Sequence, residues 1–396
     1  MSHRLIDLND DLRRLRDEGY NVDIHAANLV VRDIPYVNQK QEVQYEGILI
    51  TSLDLNGDIL NRPSEHTMKF AGQMPCTSDG RPFDAIRPAP EVTRLSEKLS
   101  SQYTFSSRPV RGHYESYYEK VRTYAAILCG QATNIDPFAT PKSRRVVEPE
   151  DESSPFNYLD TSSARADINA VTMKLAVEKV GVVGLGGTGS YVLDLLAKTP
   201  IKEIHLFDGD KFSSHNAFRA PGAASKDDLH KQSLKVDYFK ETYSRLHRGI
   251  VAHAENVDAA NVEQLRGMSF VFLCIDGGTG KRLVVEKLEE FGVPFADTGI
   301  GLYAKNETLG GILRVVTSTA ETRVTARARM SFADDHGVNE YDKNIQIADL
   351  NALNAVLAVI RWKKMRGFYF DFKHEHYSSY TIGTNRLLSE DIYGQS

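Results

Sequence analysis

Cysteine is scarce in this chain: only Cys76, Cys129 and Cys274 occur among 396 residues. They are odd in number and far apart, so they imply no disulfide framework and point to a reducing compartment. No C-x-x-C pair is present, which excludes a cysteine-rich structural zinc site. The chain also lacks an apolar run long enough to cross a bilayer. Its first residues, from Met1 to Asp7, lack the apolar stretch of a signal peptide. A cytoplasmic location without membrane contact is therefore expected. Nor is there an excess of charge of one sign. The 48 Lys+Arg against 53 Asp+Glu leave a formal net charge of −5, so no bulk field favours nucleic acid or an anionic surface. Nucleic acid is not an expected partner. What is present, 41% apolar and 26% charged residues, is ordinary for a globular protein. A length of 396 residues allows two or three domains.

The first third reads as strand-rich. Residues 43–55 have a strand pattern that ends at Asn56-Gly57, a strong hairpin signal. Over 112–132, Tyr117, Val121, Tyr124 and Leu128 recur at helical spacing. The stretch 136–155 is rich in Pro, Ser and charge and has no apolar period, as a linker does. The expected organisation is a strand-rich accessory domain over 1–145, a linker over 146–164 and a second domain over 165–390.

In that second domain apolar strands alternate with amphipathic helices. A helix over 168–176 precedes a strand over 179–183, a helix over 188–198 and a strand over 203–207. A helix near 228–246, strands at 250–253 and 270–275, a helix near 280–291 and a strand over 294–296 continue the pattern. Residues 309–316 and 368–372 read as strands, and 345–362 as a helix. The stretch 317–344 is polar and unpatterned. The expected class is α/β: a Rossmann-like, largely parallel sheet with helices on both faces, preceded by a smaller α+β domain.

The chemistry gathers around a glycine turn between a strand and a helix, Gly184-Leu185-Gly186-Gly187-Thr188-Gly189. Glycines let the backbone approach a phosphate, and the helix start supplies N–H groups and a positive dipole end. Asp208 ends the next strand, where an acid commonly binds ribose hydroxyls. To this point a nicotinamide- or flavin-dependent oxidoreductase fits equally well, as does a nucleotide-gated scaffold without turnover. Asp210, Asn216, Arg219, Lys235 and, at the end of a later strand, Asp276 follow. Two cations suit a triphosphate. A lone strand-end carboxylate suits magnesium, which takes one or two carboxylates plus phosphate oxygens. Hydride transfer needs neither.

This ordered set resembles the ThiF-type adenylyltransferases, the superfamily of ubiquitin-activating enzymes and their relatives in molybdopterin and thiamine biosynthesis. The resemblance covers residues 165–385, and its carriers are Gly184, Gly186, Gly187 and Gly189, Asp208 with Asp210, Asn216 with Arg219, Lys235 and Asp276. It implies that Asp208 holds the ATP ribose, that Asn216, Arg219 and Lys235 hold the phosphates, and that Asp276 positions Mg2+. It also implies a homodimer in which an arginine ahead of the glycine turn, matched here by Arg165, reaches the partner's ATP. The implied substrate is the C-terminal carboxylate of a ubiquitin-like or sulfur-carrier protein with a glycine tail, as in bacterial ubiquitin-like conjugation, with a conjugating enzyme as a further partner. One branch of the superfamily acts on tRNA, which leaves a tRNA-modifying enzyme as an alternative.

The sequence departs from many of these relatives in one respect. Its crossover stretch, 317–344, has no cysteine for a thioester and offers Ser318, Thr319, Thr325 and Ser331 instead. Release of the adenylate, transfer to another protein and capture by a hydroxyl all stay open. Cys274 reads as strand core. Cys76, with His66 upstream, reads as a structural cysteine in a Pro/Gly turn rather than a transfer nucleophile. Tyr114, Tyr117, Tyr118 and Tyr124 read as core or interface.

Overall fold

The computed structural model describes residues 2–83, 86, 88–95, 99–144, 154–158, 160, 162–163, 168–332 and 345–390. The chain divides into two compact units, Met1–Glu150 with Tyr158–Asp167, and Asp151–Asn157 with Ile168–Ser396. Among the described residues no helix is long and apolar enough to cross a membrane.

The first unit opens with helices α1 (Ser2–Leu8) and α2 (Asp10–Asp17). Strands β1 (Asn21–His25), β2 (Asn28–Val37) and β3 (Val43–Ser52) follow as an antiparallel meander. The expected hairpin at Asn56-Gly57 is a short ribbon of β4 (Leu55–Asn56) and β5 (Ile59–Leu60). Then β6 (Thr67–Ala71), β7 (Ala89–Arg94) and β8 (Ser100–Ser106) complete an antiparallel sheet in the order β1-β2-β3-β6-β8-β7. Helix α3 (Tyr117–Thr133) is capped by Ser116, whose side chain accepts from the Glu119 N–H. Its Tyr117, Val121, Tyr124 and Leu128, i to i+4 apart, are all buried in one core with Leu12, Leu49 and Phe70. Tyr114 and Tyr118 are buried in the same core.

The second unit starts with the short helix α4 (Asn169–Thr172) and a 3-10 turn, Met173–Leu175. Strands β9 (Lys179–Val183), β10 (Glu203–Phe207), β11 (Ile250–His253) and β12 (Phe270–Leu273) alternate with helices α5 (Gly187–Leu196), α6 (Ser214–Ala217), α7 (Lys226–Lys231), α8 (Lys235–Tyr243) and α9 (Thr279–Phe291). Then come β13 (Phe295–Lys305), β14 (Thr308–Ser318), α10 (Arg323–Arg329), α11 (Ala348–Met365), β15 (Tyr377–Thr381) and β16 (Arg386–Glu390). The sheet order is β11-β10-β9-β12-β13-β14-β15-β16; it is parallel as far as β13 and antiparallel beyond. Val180 and Val182 alternate with Gly181 and Val183 between two cores, one on each sheet face.

Three expectations are corrected. The strand at 294–296 runs on to Lys305, because Asn306 and Glu307 both take positive φ (51° and 59°) and close a tight hairpin with β14. Residues 368–372 form no strand. The aromatic residues Phe370 and Phe372 are exposed and stacked on each other, while Asp371 is held back to α11 by Arg361 at 2.6 Å. The stretch 317–344 is not wholly irregular: α10 lies in it, and residues 333–344 fall outside the described set.

Candidate active site

Strand order places the site. The chain goes outward from β9 through β10 to β11, then returns to the other side of β9 with β12. That reversal opens a crevice at the carboxyl ends of β9 and β12, where ligands of open α/β sheets bind. A cleft of about 950 Å³ lies there, lined by Gly184, Gly186, Asp208, Arg219, Lys235 and Asp276 among others.

The glycine turn is dictated by close approach. Gly184 has φ +88°, and a Cβ there would lie 2.6 Å from the carbonyl oxygen of Cys274. A Cβ on Gly189 would lie 1.9 Å from the Gly184 oxygen. The turn therefore packs against the end of β12 and delivers the start of α5, Gly187 and Thr188, to the cleft wall.

Asp208 ties the turn to the opposite wall. It is 5% exposed and accepts from the Leu185 N–H at 2.7 Å and the Asp210 N–H at 2.9 Å. Lys235, 6% exposed at the first position of α8, lies 3.3 Å from Asp208 and 2.7 Å from the exposed carboxylate of Asp210. The acid and the cation, 27 positions apart in sequence, thus form one buried pair facing the cleft. Asn216 does not line the cleft. It closes a capping box with Ser213 at the start of α6, and its buried Nδ2 has no hydrogen-bond partner among the described residues. Arg219 does line the cleft, and its buried Nε is likewise without such a partner. Asp276 reaches the cleft from the segment after β12. Arg165 lies outside the described residues.

Sequence reasoning passed over a second charged group. Asp297 on β13 is fully buried, with Lys281 of α9 at 2.6 Å and Arg314 of β14 at 3.3 Å. Burial pushes the Asp297 carboxyl up, against the pull of Lys281 and Arg314. Both cations line the cleft. The available signal is the sequence Ala296-Asp297-Thr298, an acid inside a parallel strand, which the apolar pattern of 294–296 hides by stopping just before it.

The thiols are unsuited to nucleophilic work. Cys274 lies one residue beyond β12, partly buried: it packs against the core as expected and also borders the cleft, and burial pushes its thiol up to about 12. Cys76 is buried and its thiol is also pushed up by burial, while His66 pairs with Ser106 at 3.2 Å. Ser331 lines the cleft, at the end of the described crossover stretch.

Residues 10–161 match a family described as a domain of unknown function, DUF6791. Residues 163–359 match the ThiF family. Among solved structures the chain is similar to PaaA at 19% identity, over 57% of this chain and 76% of that one, with a TM-score of 0.44. It is similar to Escherichia coli MccB solved with ATP at 18% identity, over 59% and 70% of the two chains, with a TM-score of 0.46. For MccB solved with AMPCPP and MccA the values are 18%, 56%, 66% and 0.44. No protein of curated function matches the chain. The resemblance read from the glycine turn and its acids is borne out: over residues 163–359 this chain carries a ThiF family domain.

Proposed function

We propose that this chain, an adenylyltransferase by its ThiF family domain, binds ATP in the β9–β12 cleft and activates the C-terminal carboxylate of a peptide or protein. The substrate class we favour is a ubiquitin-like or sulfur-carrier protein with a glycine tail, acting in a bacterial conjugation pathway. One observation carries the reading: the glycine turn, the buried Asp208–Lys235 pair, Arg219 and Asp276 all face one cleft at the sheet's reversal point.

In the reaction a carboxylate oxygen of the substrate bonds to the α-phosphorus of ATP, and the bond from that phosphorus to the bridging oxygen of pyrophosphate breaks. No proton is moved, so the protein's work is positioning and charge neutralisation. Arg219 and Lys235 supply fixed positive charge in the cleft, and the unpartnered Nε of Arg219 suits a phosphate oxygen. Asp208, already bonded to the turn, has acceptor capacity left for a ribose hydroxyl. Asp276 brings a carboxylate to the cleft, a donor that fits an ion arriving with the phosphates and keeping most of its water, as magnesium does. Asp276 would hold it, and it would neutralise charge on the leaving pyrophosphate.

Arg165 is proposed to complete the site across a homodimer. With the Cys274 thiol pushed up to about 12, the acyl group is proposed to leave the adenylate for another molecule, such as the cysteine of a conjugating enzyme. ATP–pyrophosphate exchange with the cognate carrier tests the reading. Exchange that depends on the carrier and is lost in Asp276→Ala supports it; absence of exchange in the parent chain would sink it.

A further inference from the structure

The Lys281–Asp297–Arg314 group is an expensive one to bury. Asp297 is fully buried and Lys281 is 3% exposed. Three apolar side chains of similar volume would fill the space without desolvating charge, so the sheet does not need this trio for stability. Two cations share one acid, which leaves a net positive charge at the cleft wall.

The backbone makes room for it. Arg314 pairs with Gly299 across the β13–β14 ladder. A Cβ on Gly299 would lie 2.7 Å from Arg314 Nη2 and 3.2 Å from its Cζ. The guanidinium therefore lies flat across β13, in the hollow that Gly299 leaves, and points away from its own strand towards β12. One Nη donates to Asp297, and the buried Nε has no partner among the described residues. A guanidinium has five donors, so most of this fork is uncommitted.

Strand order tells which part of a substrate it meets. Read across the sheet, Asp208 follows β10, the glycine turn follows β9, Asp276 follows β12, and the guanidinium lies over β13. The phosphate-binding elements are thus on one side of Asp276 and Arg314 on the other. Asp297 is level with Leu273 in the β12–β13 register, so Gly299 is level with the residue just before Asp276. Nothing would touch a Cβ on Gly301, the next cleft-facing glycine, so the surface beyond the guanidinium is open.

A carboxylate approaching this cleft meets a triphosphate and Asp276, all negative. We infer that Arg314 binds the attacking carboxylate and then the acyl oxygen of the adenylate, and that Asp297 and Lys281 are positioning residues that hold its guanidinium over Gly299. This inference rests on the adenylating function proposed above.

The test uses AMP and a stable mimic of the acyl-adenylate, N-acetylglycyl-sulfamoyl-adenosine, titrated calorimetrically into the full chain. The parent is expected to bind the mimic about tenfold or more tighter than AMP, the increment of a charge-assisted hydrogen bond. Arg314→Gln and Asp297→Asn are expected to keep AMP affinity within about twofold and to lose that increment. Arg314→Lys, which keeps charge without the fork, should recover part of it. Retained AMP binding shows that a variant is folded. An undiminished increment in Arg314→Gln, or no preference for the mimic in the parent, overturns the inference and leaves the nucleotide site standing. Failure of the parent to bind AMP at all overturns the proposed function, and the inference with it.

Discussion

The side chain of Asn351, on α11, occupies the space directly over Gly187: a Cβ on that glycine would lie 2.2 Å from Asn351 Nδ2. Asn351 also accepts from the Thr188 hydroxyl at 3.0 Å. The C-terminal helix thus braces the phosphate-facing turn. Gly187→Ala should destabilise the second unit by about 1–3 kcal/mol through overpacking. Asn351→Gly in the same chain should recover part of that loss. A double-mutant cycle of thermal melts reads the coupling, and strictly additive losses would refute the contact.

Asp208 serves both the Leu185 N–H and Lys235 from a buried position. Asp208→Ala strands a buried donor and weakens a buried ion pair. A loss of about 3 kcal/mol is expected, together with loss of ATP binding. Asp208→Asn can still accept from Leu185, so it should retain more stability than it retains ATP affinity. Denaturant unfolding and nucleotide titration on the same samples separate the two.

All three thiols are held above their ordinary value by burial, Cys274 at about 12. At pH 8 a thiol titrating there is thiolate in roughly one molecule in ten thousand. The folded chain should therefore react with a disulfide reagent far more slowly than the unfolded chain. Cys274→Ala should leave pyrophosphate exchange intact. Fast labelling of one thiol in the native state would contradict the burial described.

Lys120 on α3 is buried and donates to the Thr51 hydroxyl at 2.7 Å and the Glu65 carbonyl at 2.8 Å. Burial lowers its ammonium to about 8, despite Glu65 and Asp54. Between about pH 8 and its unfolded value near 10.5 the unfolded chain holds the extra proton, so stability rises with pH across that window. Ionisation in the unfolded chain opposes this, that of Cys76 and Cys129 from about pH 9 and that of Tyr117 and Tyr124 from about pH 10, because burial raises all four in the fold. Lys120→Met should make the change of stability with pH less positive between pH 8 and 10. Parallel melting curves for the two proteins across that range would refute it.

If Arg165 acts across a homodimer, an inactive Arg165→Ala chain and an inactive Asp276→Ala chain should complement when their subunits are exchanged. Each mixed dimer would have one complete site, so roughly a quarter of parent exchange activity should return. No recovery, with subunit exchange verified by mass, would mean that Arg165 serves its own subunit or none.

Much of this was legible along the chain because the period of apolar residues and the glycine positions are local. Residues 179–183 and 203–207 are strands where their valine, isoleucine and leucine content placed them. The turn 184–189 lies between strand and helix as its glycines required. Tyr117, Val121, Tyr124 and Leu128 were readable as one buried helix face. The run Phe368–Phe372 is deceptive for the opposite reason: an apolar run says nothing of where it lies, and here Arg361 and Lys364 of α11 hold Asp371 and Glu375 while Phe370 and Phe372 turn outward and only Phe368 packs on the core.

What the sequence determined by itself is the order of elements and the inventory of charges, since both depend on residue type and spacing. It could not pair those charges. That Lys235 serves Asp208, that Asn351 fills the space over Gly187, and that Lys281, Asp297 and Arg314 form one buried group were decided by the reversal of strand order around β9 and by the β13–β14 hairpin. Those contacts join residues from 16 (281 to 297) to 164 (187 to 351) positions apart. Only the assembled sheet with its helices in place brings such residues within a few ångströms, and a charge too costly to bury alone is tolerated only when its partner arrives there with it.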